Sequence, residues 1–117
     1  MEFIIKNKSR KIKIKDIKKI SEIEKIIGMM FHSKENCPAM LFQFKKQTNI
    51  PIHSLFVFFP FIAVWLDNKN NIVDIKKIKP FKLSIKSNEP FYKLLEIPFN
   101  KKYSKEIKII FKNRQYR

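Results

Sequence analysis

Glycine occurs once in this 117-residue chain, at Gly28, and cysteine once, at Cys37. A lone cysteine excludes an internal disulfide framework and any cysteine-cluster metal site, and it fits a reducing compartment. Acidic residues number 10 against 26 Lys and Arg, and of those 26 only Arg10, Arg114 and Arg117 are arginine. Long apolar runs are missing too. The most apolar stretch, residues 50–66, is shorter than the roughly 20 residues that a membrane helix needs. It carries His53 and Ser54 near one end and Pro60 in its middle. The apolar start, residues 1–6, is too short for a signal peptide. No repeat or flexible linker interrupts the chain. A cytoplasmic protein is expected.

What is present is bulk and positive charge. Apolar residues make up 44%, including 12 Phe, enough to pack one core in one domain spanning 1–117, with a basic tail at 112–117. The net charge of +16 has two readings. One is a polyanion partner, a nucleic acid or an anionic membrane surface. The other is composition. Lys, Ile, Asn and Phe have codons rich in A and T, so an AT-rich genome produces such charge without selection for binding. A Lys-heavy surface also suits a heat-adapted protein, although Glu should then be plentiful. Lysine acts as a point charge, whereas arginine suits bidentate phosphate and guanine contacts.

Period-two patterns dominate. Residues 3–6, 10–15, 40–44, 53–58, 62–66, 72–79, 81–86, 91–97 and 107–111 read as short strands. In the second of these Lys11, Lys13 and Lys15 form a row on the wet face, placed for phosphate contacts or to block edge-to-edge aggregation. The polar segment 67–71 reads as a turn that makes 62–79 a hairpin. Asp16 reads as an N-cap. The spacing of Ile17, Ile20, Ile23, Ile26 and Ile27 predicts an amphipathic helix over 17–27, stopped at Gly28. Parallel βαβ folds need helices between strands, and these are absent. The expected fold is mainly β, a compact antiparallel barrel-like or sandwich-like domain with one short helix.

Candidate sites are few. His53 and Glu96 are polar residues inside apolar strands. With Phe59 and Trp65 as walls they read either as a small pocket at one barrel end or as a structural hydrogen bond closing that end. A buried carboxylate must face water, meet a cation or accept backbone donors. Cys37 with His32 or His53 would need an imidazole in reach to hold a thiolate, and no partner pattern surrounds it. Two His 21 positions apart offer no zinc spacing. No catalytic residue, metal site or cofactor is expected. Met29, Met30, Phe31 and Met40 read as core beneath a helix end or as an adaptable contact surface. For nucleic acid, Phe81, Phe91, Tyr92 and Tyr103 lie near lysines, as in small β-barrels that bind single strands, while no helix-turn-helix, zinc-finger or RNP pattern is present. The expected role is a non-enzymatic binding or accessory protein, with non-specific nucleic-acid binding through Lys11, Lys13 and Lys15 as the alternative. A monomer or small homo-oligomer is expected.

Five segments in order carry a family resemblance. Gly28-Met29-Met30-Phe31 and Ala39-Met40-Leu41-Phe42-Gln43-Phe44 resemble the "GLMF … GMLFVF" signature of domain of unknown function 192. The stretch 53–67 resembles the "HMFFM-x-FPIDVVFLD" of its archaeal-style members. Ile72-Val73-Asp74-Ile75, Lys79-Pro80-Phe81 and Leu94-Leu95-Glu96-Ile97-Pro98 fall where that family has "VVEI", "KPW" and "LELPAG". The resemblance covers roughly residues 10–112 and implies a compact mainly-β fold with no assigned activity. Ile62 stands where the family has Asp, Asn70 and Asn71 replace the hairpin glycine, and Phe99 or Asn100 stands at the "PAG" glycine. Secreted bacterial members carry an N-terminal export or anchor segment that this chain is expected to lack.

Overall fold

Strand β5 (Phe61–Leu66) is buried at all six residues. Both faces of its sheet are covered, so an unbroken apolar run is what the position selects. Ile62, Val64 and Leu66 point into one core cluster and Phe61, Ala63 and Trp65 into another. Apart from Ala63, each such side chain contributes about 1.5–3 kcal/mol by leaving water. The computed structural model describes residues 2–7, 10–20 and 29–114, with side chains described through 111.

The other elements are β1 (Phe3–Asn7), β2 (Arg10–Ile14), β3 (Lys18–Lys19), β4 (Met40–Thr48), β6 (Ile72–Ile78), β7 (Phe91–Pro98), a 3₁₀ turn (Lys101–Tyr103) and α1 (Ser104–Arg114). Five strands form one sheet in the order β3-β4-β7-β5-β6, and β1 and β2 form a separate hairpin. All the pairings are antiparallel except β3 with β4. The fold is therefore mainly β and sandwich-like, and the sheet is open rather than a closed barrel. On one face lie the β1–β2 hairpin and α1, through Ile5, Ile12, Ile14, Tyr103, Ile107 and Ile110. On the other lie segments carrying Met29, Cys37, Val57 and Phe59. The β5–β6 hairpin forms as expected. Its turn is held by Asp67, whose Oδ1 accepts from the Lys69 and Asn71 amides at 2.8 and 2.9 Å, with Asn70 left-handed at φ 69°.

Four expectations are corrected. The predicted helix does not begin at residue 17. Lys18 and Lys19 pair in parallel with Met40 and Leu41, the Lys18 amide donating to Ala39 and the Ile20 amide to Leu41. Asp16, at φ 50°, caps no helix there. Ile17 and Ile20 are buried, so the apolar spacing was real, but a sheet edge rather than a helix satisfied the backbone. Residues 21–28, with the rest of that expected helix, lie outside the described residues. The helix of the described residues is α1, where residues 107–111 were expected as a strand. Tyr103, Ile107 and Ile110 make one apolar stripe at helical spacing on the core. Residues 53–58 form a turn, the Val57 amide donating to the Ser54 carbonyl at 3.2 Å. Residues 81–86 keep only an isolated bridge, Ile52 with Ile85.

Phe31, Phe56 and Phe81 have φ of 64°, 59° and 64°. This left-handed region costs a residue with a Cβ about 1–2 kcal/mol.

Candidate functional site

The row predicted on β2 is there: Ile12 and Ile14 are buried while Lys11, Lys13 and Lys15 are exposed. They do not stand alone. A groove of about 690 Å³ runs between β2 and the start of α1, lined by Arg10, Lys11, Lys13 and Lys15 on one wall and Lys101, Lys102 and Lys105 on the other. Glu106 is the acid in its lining. Two more acids sit at the margin, Glu2 at 3.3 Å from Lys13 Nζ and Asp16 at 3.2 Å from Lys102 Nζ. Seven cations against three acids leave an excess of four, concentrated by folding from segments some 90 positions apart.

The second wall is positioned by buried side chains. Asn100 Oδ1 accepts from the Tyr103 amide at 3.3 Å, and its Nδ2 donates to the carbonyls of Lys34 and Cys37 at 2.9 and 3.1 Å. Tyr103 Oη accepts from the Ala39 amide at 2.9 Å and donates to the Asp16 carbonyl at 3.0 Å. Asp16 follows β2, so one phenol ties both walls together. Sequence reasoning missed Lys101, Lys102 and Lys105 because it read their segment as a loop. The usable signal was the spacing of Tyr103, Ile107 and Ile110, which puts Lys105 on the wet side of α1, next to Lys101 and Lys102 in the 3₁₀ turn.

The other predicted constellation is only partly gathered. Trp65 and Glu96 lie on the same side of the central sheet, since Glu96 pairs with Ala63 and Leu94 with Trp65. Phe59 packs in the same cluster as Trp65. His53 is turned to its own loop, where Nδ1 accepts from the Leu55 amide at 3.2 Å, and no hydrogen bond joins it to Glu96. Glu96 is buried, and burial pushes its carboxyl up to about 8. The Trp65 indole N–H is buried without a hydrogen-bond partner. Cys37 is buried, and burial, helped by the Glu96 charge and opposed by Lys18, pushes its thiol up to about 12. At neutral pH it is a protonated, unreactive thiol. No group of three or more His, Cys, Asp or Glu could hold a metal ion among the described residues. No helix among them is long and apolar enough to cross a membrane.

The family model for DUF192, described as "Uncharacterized ACR", matches residues 4–109. No curated protein matches the chain. Two crystal structures are similar in fold. One is a protein of unknown function from Novosphingobium aromaticivorans, 13% identical, covering 89% of this chain and 75% of that one with a TM-score of 0.67. The other is a "putative transcription regulator" from Sinorhizobium meliloti, 17% identical, covering 89% and 82% with a TM-score of 0.71. At these identities the likeness is one of fold.

Proposed function

The chain belongs to the DUF192 family, and from that premise we propose that it is a non-enzymatic binding domain that holds a nucleic-acid backbone in the groove between β2 and α1. The observation that carries the reading is the convergence of seven cations from two distant segments on one groove. A composition-driven surplus of lysine would be spread without regard to tertiary contacts. Six of the seven are Lys, which grip phosphates as point charges and read no base edges. Binding should therefore be insensitive to sequence and sensitive to salt. The supporting chemistry is thin for catalysis: the thiol is protonated and His53 is engaged by its own loop.

Fluorescence anisotropy of labelled DNA and RNA across a salt series tests it. With about four phosphates neutralised, log K should fall against log salt with a slope of roughly −4 on duplex DNA. Replacing Lys11, Lys13 and Lys102 together by Gln should weaken binding at least tenfold at physiological salt and flatten the slope by about 3 units. Replacing Lys45, Lys46 and Lys69, exposed lysines outside the groove, removes the same charge and should change little. Equal weakening by both triples would show that bulk charge, not the groove, does the binding.

A further inference from the structure

On the opposite face of the central sheet from the groove, five large apolar side chains stand in water: Phe31, Phe56, Phe58, Phe81 and Leu83, between 49% and 77% exposed. They are joined. The Phe31 ring stacks on Phe56 with centroids 5.4 Å apart, and Phe58 meets Phe81 edge-on at 5.4 Å. Phe56 and Phe58 flank Val57, which is buried in the core and anchors the ridge from below. Ser54, fully buried, holds the loops to one another. Its Oγ donates to the Lys79 carbonyl at 2.6 Å and accepts from the Lys82 amide at 2.7 Å, and its own carbonyl accepts from the Val57 and Phe81 amides. The Phe31 amide donates to the Phe56 carbonyl at 3.1 Å. The ridge is a built feature of the fold.

Its backbone makes the display costly. Three of the four rings sit at left-handed residues, where Asn would be tolerated without the strain. Asn has AT-rich codons just as Phe does, and this chain does use Asn at the left-handed position 70. Compositional bias therefore does not account for phenylalanine there. An exposed, strained aromatic that no packing requires points to a contact.

We propose that this ridge seats in the headgroup–acyl boundary of an anionic lipid bilayer. The side chains are Phe and Leu with no polar tip, suited to an acyl environment. Lys79 and Lys82 flank Phe81 and line a hollow of about 310 Å³ beside the ridge, which offers two cations to lipid headgroups. A second copy of the chain is opposed by its own +16 charge.

Vesicle flotation of the full chain tests this, comparing phosphatidylglycerol-containing vesicles with pure phosphatidylcholine at physiological salt. The parent should float with the anionic vesicles and not with the neutral ones. Replacing Phe31, Phe56 and Phe81 together by Asn leaves net charge unchanged. It should lower vesicle binding at least tenfold, leave DNA anisotropy unchanged and not lower the melting midpoint. Phe58→Ser with Leu83→Ser, at positions free of left-handed backbone, should also weaken flotation and gives a second test if the triple variant folds poorly. Failure of the parent to float, or flotation of both variants like the parent, would overturn the proposal. So would loss of single-stranded DNA binding in the Asn variant with flotation intact, or a parent dimer in sedimentation that the variant abolishes.

Discussion

Glu96→Gln will raise the melting midpoint at pH 8 by on the order of 10 °C and leave it unchanged at pH 4. Glu96 sits on β7, the central strand of the sheet, opposite Met40 and Ala63. Burial lifts its pKa from the ordinary 4.5 to about 8, so the folded protein holds a proton that the unfolded chain gives up. A group whose folded pKa is raised contributes its full stability below the unfolded pKa, and that stability is lost as pH climbs through the folded one. The loss therefore begins near pH 4.5 and is complete above about 8. It runs at roughly 1.4 kcal/mol per pH unit and totals several kcal/mol. Glutamine keeps the shape of the protonated acid and has no proton to lose. Each kcal/mol moves the midpoint of a domain this size by roughly 4 °C. Thermal melts of both proteins from pH 4 to 9 should diverge steadily with pH. Parallel curves would mean that the carboxyl is charged and satisfied in the fold.

Tyr103→Ala will cost about 3–5 kcal/mol, and Tyr103→Phe a smaller part, about 1–3 kcal/mol. The ring is fully buried among Ile107, Ile110 and the strand residues of that core. The phenyl variant keeps that packing and loses only the hydroxyl. Its loss strands the Ala39 amide and the Asp16 carbonyl. Burial pushes the phenol pKa up, so the proton given to Asp16 stays in place at neutral pH. Because Asp16 follows one wall of the basic groove and Tyr103 begins the other, the Phe variant should also weaken DNA binding while remaining folded. Chemical denaturation of the three proteins, followed by anisotropy of the Phe variant, checks both points. A Phe variant as stable as the parent would show that water replaces the hydroxyl.

Strands with a strong periodic signal and two covered faces were legible. Residues 10–15 alternate because Ile12 and Ile14 are buried while the lysines face solvent, and 62–66 is apolar throughout because β5 is covered on both faces. Segments whose state is decided by distant partners were not. Residues 107–111 are rich in isoleucine, a β-former by preference, yet Tyr103, Ile107 and Ile110 lie on one side of a helix, and packing on the core outweighed propensity. Residues 81–86 alternate, but of their apolar side chains only Ile85 packs on the core, and Leu83 is among the most exposed side chains. At the site, one wall was readable as a lysine row. The other required knowing that the chain returns to lie beside it. Of the aromatic ridge only Phe31 and Phe81 were singled out, and not as one surface, because no local rule places phenylalanine at positive φ or joins these loops.

The order of strands in the sheet has a consequence for how the chain is made. The strand that lies between β4 and β5, and pairs with both, is β7, the last of the strands in sequence. At translation rates of roughly 5–20 residues per second, β4 and β5 wait several seconds for their shared partner to leave the ribosome. During that interval both lack their shared neighbour, and the wholly apolar β5 has only β6 to shelter it. The sheet cannot be assembled progressively from the N-terminus, and the pairings that close it span 27 to 56 residues. Such non-local pairing makes for slow folding.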